Sequence, residues 1–144
     1  MNFEQTLSKI SSRFVAPIDI NEAINMTLRD MGLLSRASRA YLFLFSDDKK
    51  FSSNTHEWCA KGVSSQISDL QDLPIDSIPW WYQRIKSRNI IHIQDLSELP
   101  DRASNEKKLL QKQDIKTLIA YPILVKGEAI GFIGFDNIKN TDSW

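Results

Sequence analysis

The sequence predicts an α+β fold, with a central, largely antiparallel β-sheet of about five to six strands and helices packed against it. Three observations carry this expectation. The chain before Gly32 shows only helical periodicity, whereas from Arg39 the apolar period shortens to two or less. The first two strand patterns are separated by a short polar turn, as a hairpin requires, and not by a crossover helix. Two long apolar strand patterns close the chain around Lys126-Gly127-Glu128.

Taken in order, Phe3, Leu7, Ile10 and Phe14 recur at spacings of four, three and four, one stripe of a helix and two heptads of a/d type. Asn2 with Gln5 has the form of a capping box. Periodicity leaves two readings of this helix open: it packs into the core, or it runs along a second copy of itself. Pro17 ends the segment. Asp19 followed by Glu22 reads as the next helix start. Ile20, Ala23, Ile24, Thr27, Leu28 and Met31 form its buried face, and Gly32 is its expected stop. Ala40 to Phe45 is a strand covered on both sides, turned by Asp47-Asp48-Lys49-Lys50 into a second strand from Phe51 to Cys59.

Ala60 to Asn89 shows no strand pattern. It holds Gly62, Pro74 and Pro79 beside Trp80-Trp81-Tyr82, and Pro79 suits the first turn of a short helix over Trp80 to Ser87. Ile90 to Gln94 alternates as a third strand. Ala103 to Gln113 is a charged helix with Leu109 and Leu110 inward, and its run from Asn105-Glu106-Lys107-Lys108 reads as a solvated face. Thr117 to Val125 and Ala129 to Ile138 are apolar on both faces and belong near the centre of the sheet. The glycine of their connection supplies a positive φ.

Composition bounds the function. The chain has 144 residues, 18 basic and 18 acidic side chains and one cysteine. This is one domain's worth of chain, with 42% apolar residues to fill a core. A formal net charge of zero gives no broad basic face for nucleic acid or anionic membrane. No apolar run approaches the ~20 residues that span a bilayer, and Met1 to Gln5 does not open a secretory signal. Cys59 cannot form an internal disulfide, and a reduced, cytoplasmic compartment is the economical reading.

The element order resembles the GAF domain, a small sensory module of signalling proteins. The likeness runs through Arg39-Ala40-Tyr41-Leu42-Phe43, Asn54-Thr55-His56-Glu57-Trp58 and Ile91-His92-Ile93-Gln94-Asp95-Leu96. It is strongest in Pro122-Ile123 through Gly127 into Ile130-Gly131-Phe132-Ile133-Gly134-Phe135-Asp136. Glu57-Trp58 and Trp80-Trp81 are similar to a subset found beside histidine-kinase and diguanylate-cyclase modules. The resemblance implies one GAF-like domain over 1–144, with residues 1–16 as a signalling and dimerisation helix. It also implies a closing helix beyond Trp144 that leads toward an output module.

Thiolate and imidazole are the commonest nucleophile, base and soft-ligand groups. Cys59, His56 and His92 show no catalytic or metal-binding spacing. On a strand, His56 and Trp58 face one side and Glu57 and Cys59 the other, and no second histidine follows at helical spacing. Ala60-Lys61-Gly62 after Cys59 does not match the motif by which bilin-binding relatives attach a chromophore. The asparagine-lysine-phenylalanine-aspartate signature of cyclic-nucleotide binders does not fit this chain either. No phosphate-cradling glycine loop follows any strand. The informative set is aromatic: Trp58, Trp80, Trp81, Tyr82 and Tyr121 as one wall of a ligand pocket, with Arg39, His56 and His92 as the polar groups within reach. Simple core packing of Trp80 or Trp81 is the competing reading.

The resemblance therefore implies a non-catalytic sensory domain of a multidomain signal-transduction protein, a two-component sensor histidine kinase of a phosphorelay, with no resident cofactor. It would bind an unidentified small molecule or relay a conformational change, and form a homodimer through its flanking helices. The alternatives are a structural dimerisation spacer without ligand, or the corresponding module of a diguanylate cyclase. Free methionine sulfoxide reductases share this fold but rely on several cysteines.

Overall fold

The computed structural model describes residues 2–15 and 19–139. Helix α1 (Phe3–Val15) and helix α2 (Ile20–Ser35) precede strands β1 (Arg39–Phe45) and β2 (Phe51–Cys59). After an excursion come β3 (Leu73–Pro74), α3 (Pro79–Lys86), β4 (Ile91–Ile93), α4 (Ser104–Lys112), β5 (Thr117–Val125) and β6 (Glu128–Asn137). The six strands form one sheet in the order β3-β2-β1-β6-β5-β4, with every pair antiparallel. This is the α+β layout expected from the sequence.

Local chemistry sets the element ends. Asn2 and Gln5 exchange the expected capping-box bonds, Gln5 N–H donating to Asn2 Oδ1 at 2.8 Å and Asn2 N–H to Gln5 Oε1 at 3.2 Å. Asp19 caps α2 by accepting from Asn21 N–H at 2.8 Å. Pro79 stands in the first turn of α3, where its missing N–H costs nothing. Lys126 and Gly127, at φ 53° and 79°, form the two-residue turn between β5 and β6. Pro17 lies outside the described residues.

Five expectations are corrected. Gly32 does not stop α2, which runs on to Ser35 and ends where Arg36 takes φ 57°. Gly32 instead makes room for a side chain, since a Cβ there would stand 2.4 Å from Trp58 Cε3. Ile20 is exposed at the first turn of α2, whereas Ala23 and Leu28 are buried as expected. β3 is an additional two-residue strand, anchored to β2 by Ser52↔Leu73 and Phe51↔Pro74 pairing. The far half of β5 is not covered: Leu124 and Val125 are exposed. Finally, Glu106 is no part of a solvated face, being 2% exposed.

The sheet carries a core on each face. On one side α2 packs Leu28, Ile24 and Met31 against Ala40, Trp58, Ile133 and Phe135. On the other, Tyr41, Phe43 and Phe45 of β1 and Phe132 of β6 meet Ile78, Trp81 and Ile85 of the α3 region and Leu110 of α4. Phe43 stacks on Phe132 with ring centroids 4.7 Å apart. α1 lies outside α2, where Arg13 and Asp30 form a buried ion pair. Burial works against the charge of Asp30, but the hydrogen bond and charge of Arg13, with Lys9 and Arg29 adding, hold its carboxyl below its usual range. The stripe of α1 is left outside: Phe3, Leu7 and Phe14 are exposed, so the core-packing reading of that helix is corrected.

Candidate functional site

A cavity of about 50 Å³ lies between the sheet and the helices α3 and α4. Its walls are mainly aromatic and aliphatic, with Tyr41, Phe43 and Phe132 from the sheet, Trp81 from α3, and Leu109 and Leu110 from α4. Ser52, Glu57, Glu106 and Gln113 contribute the polar lining besides Tyr41 and Trp81.

A β-bulge decides which β2 residues reach it. Pairing with β1 runs Leu42↔His56 and then Phe43↔Asn54, so Thr55 is the extra residue, and its hydroxyl donates to Leu42 O at 3.3 Å. Glu57 opposes Tyr41, Asn54 opposes Phe43, and Ser52 opposes Phe45. All three therefore share the cavity face, although strict alternation would separate Asn54 and Ser52 from Glu57. His56 and Trp58 take the opposite face.

Glu106 is the unexpected member. It sits in the first turn of α4, and its Oε2 accepts the backbone N–H of Trp81, in the first turn of α3, at 2.9 Å. The positive ends of two helices thus meet at one carboxylate. Its Oε1 is buried without a hydrogen-bond partner, as are Trp81 Nε1 and Ser52 Oγ, and all three residues line the cavity. Glu57, by contrast, is engaged. It accepts from Ser65 Oγ at 2.6 Å, Gln66 N–H at 3.0 Å, Asn54 Nδ2 at 3.2 Å and the Cys59 thiol at 3.4 Å.

Arg39 closes one end of the site without lining it. Its guanidinium donates to Ser64 O at 3.1 Å, to Gln113 O at 3.4 Å and to Asp136 Oδ2 at 3.5 Å, tying β1 to the excursion, to the end of α4 and to β6. Burial pushes the Asp136 carboxyl up to about 7, with Arg39 opposing the shift. Burial, reinforced by Asp136, also raises Tyr41 well above the ordinary phenol value.

Of the residues singled out in the sequence, Trp81 lines this cavity. Trp80 and Tyr82 pack against the same core, Trp80 with Arg84 over its ring at 5.4 Å and Tyr82 edge-on to Phe45. The other candidates stand elsewhere. Trp58 packs on Gly32 of α2. His56 bridges Asn21 Oδ1 at 2.8 Å and Thr55 Oγ1 at 2.9 Å, and burial lowers its pKa. His92 and Tyr121 are exposed on β4 and β5. The Thr55 bulge turns Ser52 to the cavity face alongside Glu57, and the polar lining is Ser52, Glu57, Glu106 and Gln113 in place of the predicted Arg39, His56 and His92.

The Cys59 thiol is pushed up to about 12, first by burial and then by Glu57, so it is not a ready nucleophile. The two histidines lie on different elements, and among the described residues no group of three His, Cys, Asp or Glu side chains can hold a metal.

Comparison with known proteins agrees with the architecture. The family profile described as GAF domain matches residues 19–144. The chain is 31% identical over 130 residues to the methanogenesis regulatory histidine kinase FilI of Methanothrix harundinacea (strain 6Ac), covering 88% of this chain and 14% of that protein. The phycocyanobilin-bound GAF domain of a cyanobacterial phytochrome superposes with a TM-score of 0.83 at 16% identity, over 100% of this chain and 84% of that one. The chromophore-binding domain of a bacteriophytochrome from R. palustris gives 0.73 at 14% identity, over 94% and 52%. These structural likenesses concern the fold. With the family profile spanning most of its length and the expected sheet order in place, the chain belongs to the GAF domain family.

Proposed function

We propose that this domain is a non-catalytic sensory module of a multidomain signal-transduction protein, a sensor histidine kinase acting in the cytoplasm, in which occupancy of the cavity under α3 and α4 is the signal. The observation that carries the reading is the cavity itself, with three buried polar atoms on its lining that have no hydrogen-bond partner among the described residues. The likeness to FilI, of which this chain spans 14%, supports the kinase as the output.

The cavity's size narrows the ligand. At roughly 10–15 Å³ per water, about 50 Å³ holds three to five waters, or a molecule of about four to six non-hydrogen atoms. A tetrapyrrole such as the one held by the cyanobacterial relative does not fit this space, and Cys59 is not poised to attach one. Ligand binding would favour one placement of α3 and α4, and population shift would pass that choice through the sheet to α2 and α1.

Dimerisation through α1 belongs to the same reading. Phe3, Leu7 and Phe14 form an exposed apolar stripe at a/d spacing, the face that a second α1 would cover. A dimerising spacer with no ligand is the second reading, and it rests on this stripe alone. The corresponding module of a diguanylate cyclase remains the alternative output.

Native against denaturing mass spectrometry of the freshly purified domain separates the two readings. A sensor retains excess mass that is lost on denaturation. A doubled mass with no such excess favours the spacer.

A further inference from the structure

We propose that the ligand of this cavity is a small organic cation, a primary ammonium on a compact apolar body, with Glu106 as its anionic partner. The inference rests on the reading of the cavity as a ligand site. It starts from charge. Among the described residues, the charged side chains lining the cavity are Glu57 and Glu106, and neither lysine nor arginine lines it. Glu57 already accepts from four donors on β2 and the following loop. Glu106 does not have this support. Its Oε2 accepts from Trp81 N–H, while Oε1, on a residue 2% exposed, has no partner.

A buried carboxylate oxygen left without a donor is costly, and an ionised donor satisfies it best, because charge-assisted bonds are roughly twice as strong as neutral ones. Ser52 Oγ, also buried and unpartnered on the lining, is a second acceptor for an ammonium, which offers three N–H donors. The remaining walls suit the rest of such a ligand. Aromatic faces attract a cation electrostatically and an alkyl body by area, and Tyr41, Phe43, Trp81 and Phe132 supply them here. An anionic ligand of the same size would meet two carboxylates and no compensating cation on the lining. It is disfavoured on the same ground.

The test is calorimetric titration of the 144-residue domain at neutral pH with three near-isosteres that all stay within the cavity's size: 2-methylpropan-1-amine, 2-methylpropan-1-ol and 2-methylpropanoate. The amine is expected to bind at least tenfold more tightly than the alcohol, and the carboxylate not measurably. Glu106→Gln is expected to weaken the amine at least tenfold and the alcohol less than threefold. Alcohol binding equal to amine, or tighter carboxylate binding, overturns the cationic ligand and leaves the ligand site standing. Failure of all three to bind overturns the compact ammonium ligand, and the ligand site falls with it only where the native mass spectrum also shows no excess mass. The wild-type ranking decides the matter by itself should Glu106→Gln fold poorly.

Discussion

Glu106 of α4 accepts the backbone N–H of Trp81 at 2.9 Å, so a side chain from one helix closes the first turn of the other directly over the cavity. The bond is charge-assisted and buried, and it fixes the spacing of the two helices that roof the site. Truncation to Glu106→Ala removes a bond of the class worth about 1.5–3 kcal/mol, and we expect a loss of about 2 kcal/mol or more in urea unfolding. Glu106→Gln keeps a carbonyl acceptor and should lose about 1 kcal/mol or less. Near-wild-type stability of the alanine variant would show that the contact contributes little.

Gly32 and Trp58 give an opposite-sign test. In a helix interior, alanine ordinarily gains about 1 kcal/mol over glycine. At Gly32 the added Cβ would stand 2.4 Å from Trp58 Cε3, and overpacking of this kind costs about 1–3 kcal/mol. Gly32→Ala is therefore expected to destabilise the wild-type domain and to stabilise the Trp58→Ala background. The same sign in both backgrounds would contradict the packing account.

Asp136 predicts an unusual pH dependence. Its folded pKa, raised to about 7 by burial against the Arg39 charge, lies above its unfolded value of 3.8. Between these values the folded state holds a proton that the unfolded state has released. Stability should fall as pH rises through that window, by at most about 1.4 kcal/mol per unit, and level off above it. Asp136→Asn should flatten the slope in denaturant melts taken from pH 4 to 8. A wild-type stability that rises across the window would mean that Arg39 dominates the pair.

The Cys59 thiol, held up at about 12, should react slowly. At pH 8 its thiolate fraction is about three orders of magnitude below that of an ordinary cysteine. Alkylation by iodoacetamide should be slow in buffer and normal in urea. Equal rates in both would remove the argument against covalent attachment at this position.

On α1, Leu7 is 53% exposed and touches neither core, so beyond the stability lost with the dimer itself Leu7→Glu should change the unfolding free energy by about 0.5 kcal/mol or less. Light scattering should nevertheless show a dimer reduced to monomer. Unfolding of the variant would mean that the stripe is structural within one chain, and an unchanged dimer would place the interface elsewhere.

Much of this architecture was legible in the residues. Apolar runs covered on both faces located β1 and β5, the turn after Phe45 located β2, and Asp19 and Pro79 marked the starts of α2 and α3, because these signals are local. β3 escaped notice because two residues carry no periodicity, and its place depends on pairing with β2. The site was less legible. A bulge at Thr55 changes which β2 side chains face the cavity, and no single residue announces it. Glu106 was obscured by its charged neighbours Lys107 and Lys108. Its signal was present all the same, since Glu106, Leu109, Leu110 and Gln113 recur at i, i+3, i+4 and i+7, one face of α4, and all four line the cavity. The hydrogen bond that explains the burial goes to a backbone N–H, which has no side-chain signature.

The central claim is that a small ligand is read in the cavity roofed by α3 and α4. The indole N–H of Trp81 is buried on that lining without a partner, whereas Trp58 packs on the opposite face of the sheet and Trp80 carries Arg84 over its ring. We would record the tryptophan indole resonances by ¹⁵N NMR, assign Trp81 with Trp81→Phe, and titrate fragments of about four to six non-hydrogen atoms. The account predicts a saturable shift of the Trp81 resonance with little movement of Trp58 or Trp80. A Trp81 resonance that stays in place while the others move, or while every fragment is at saturating concentration, would contradict it.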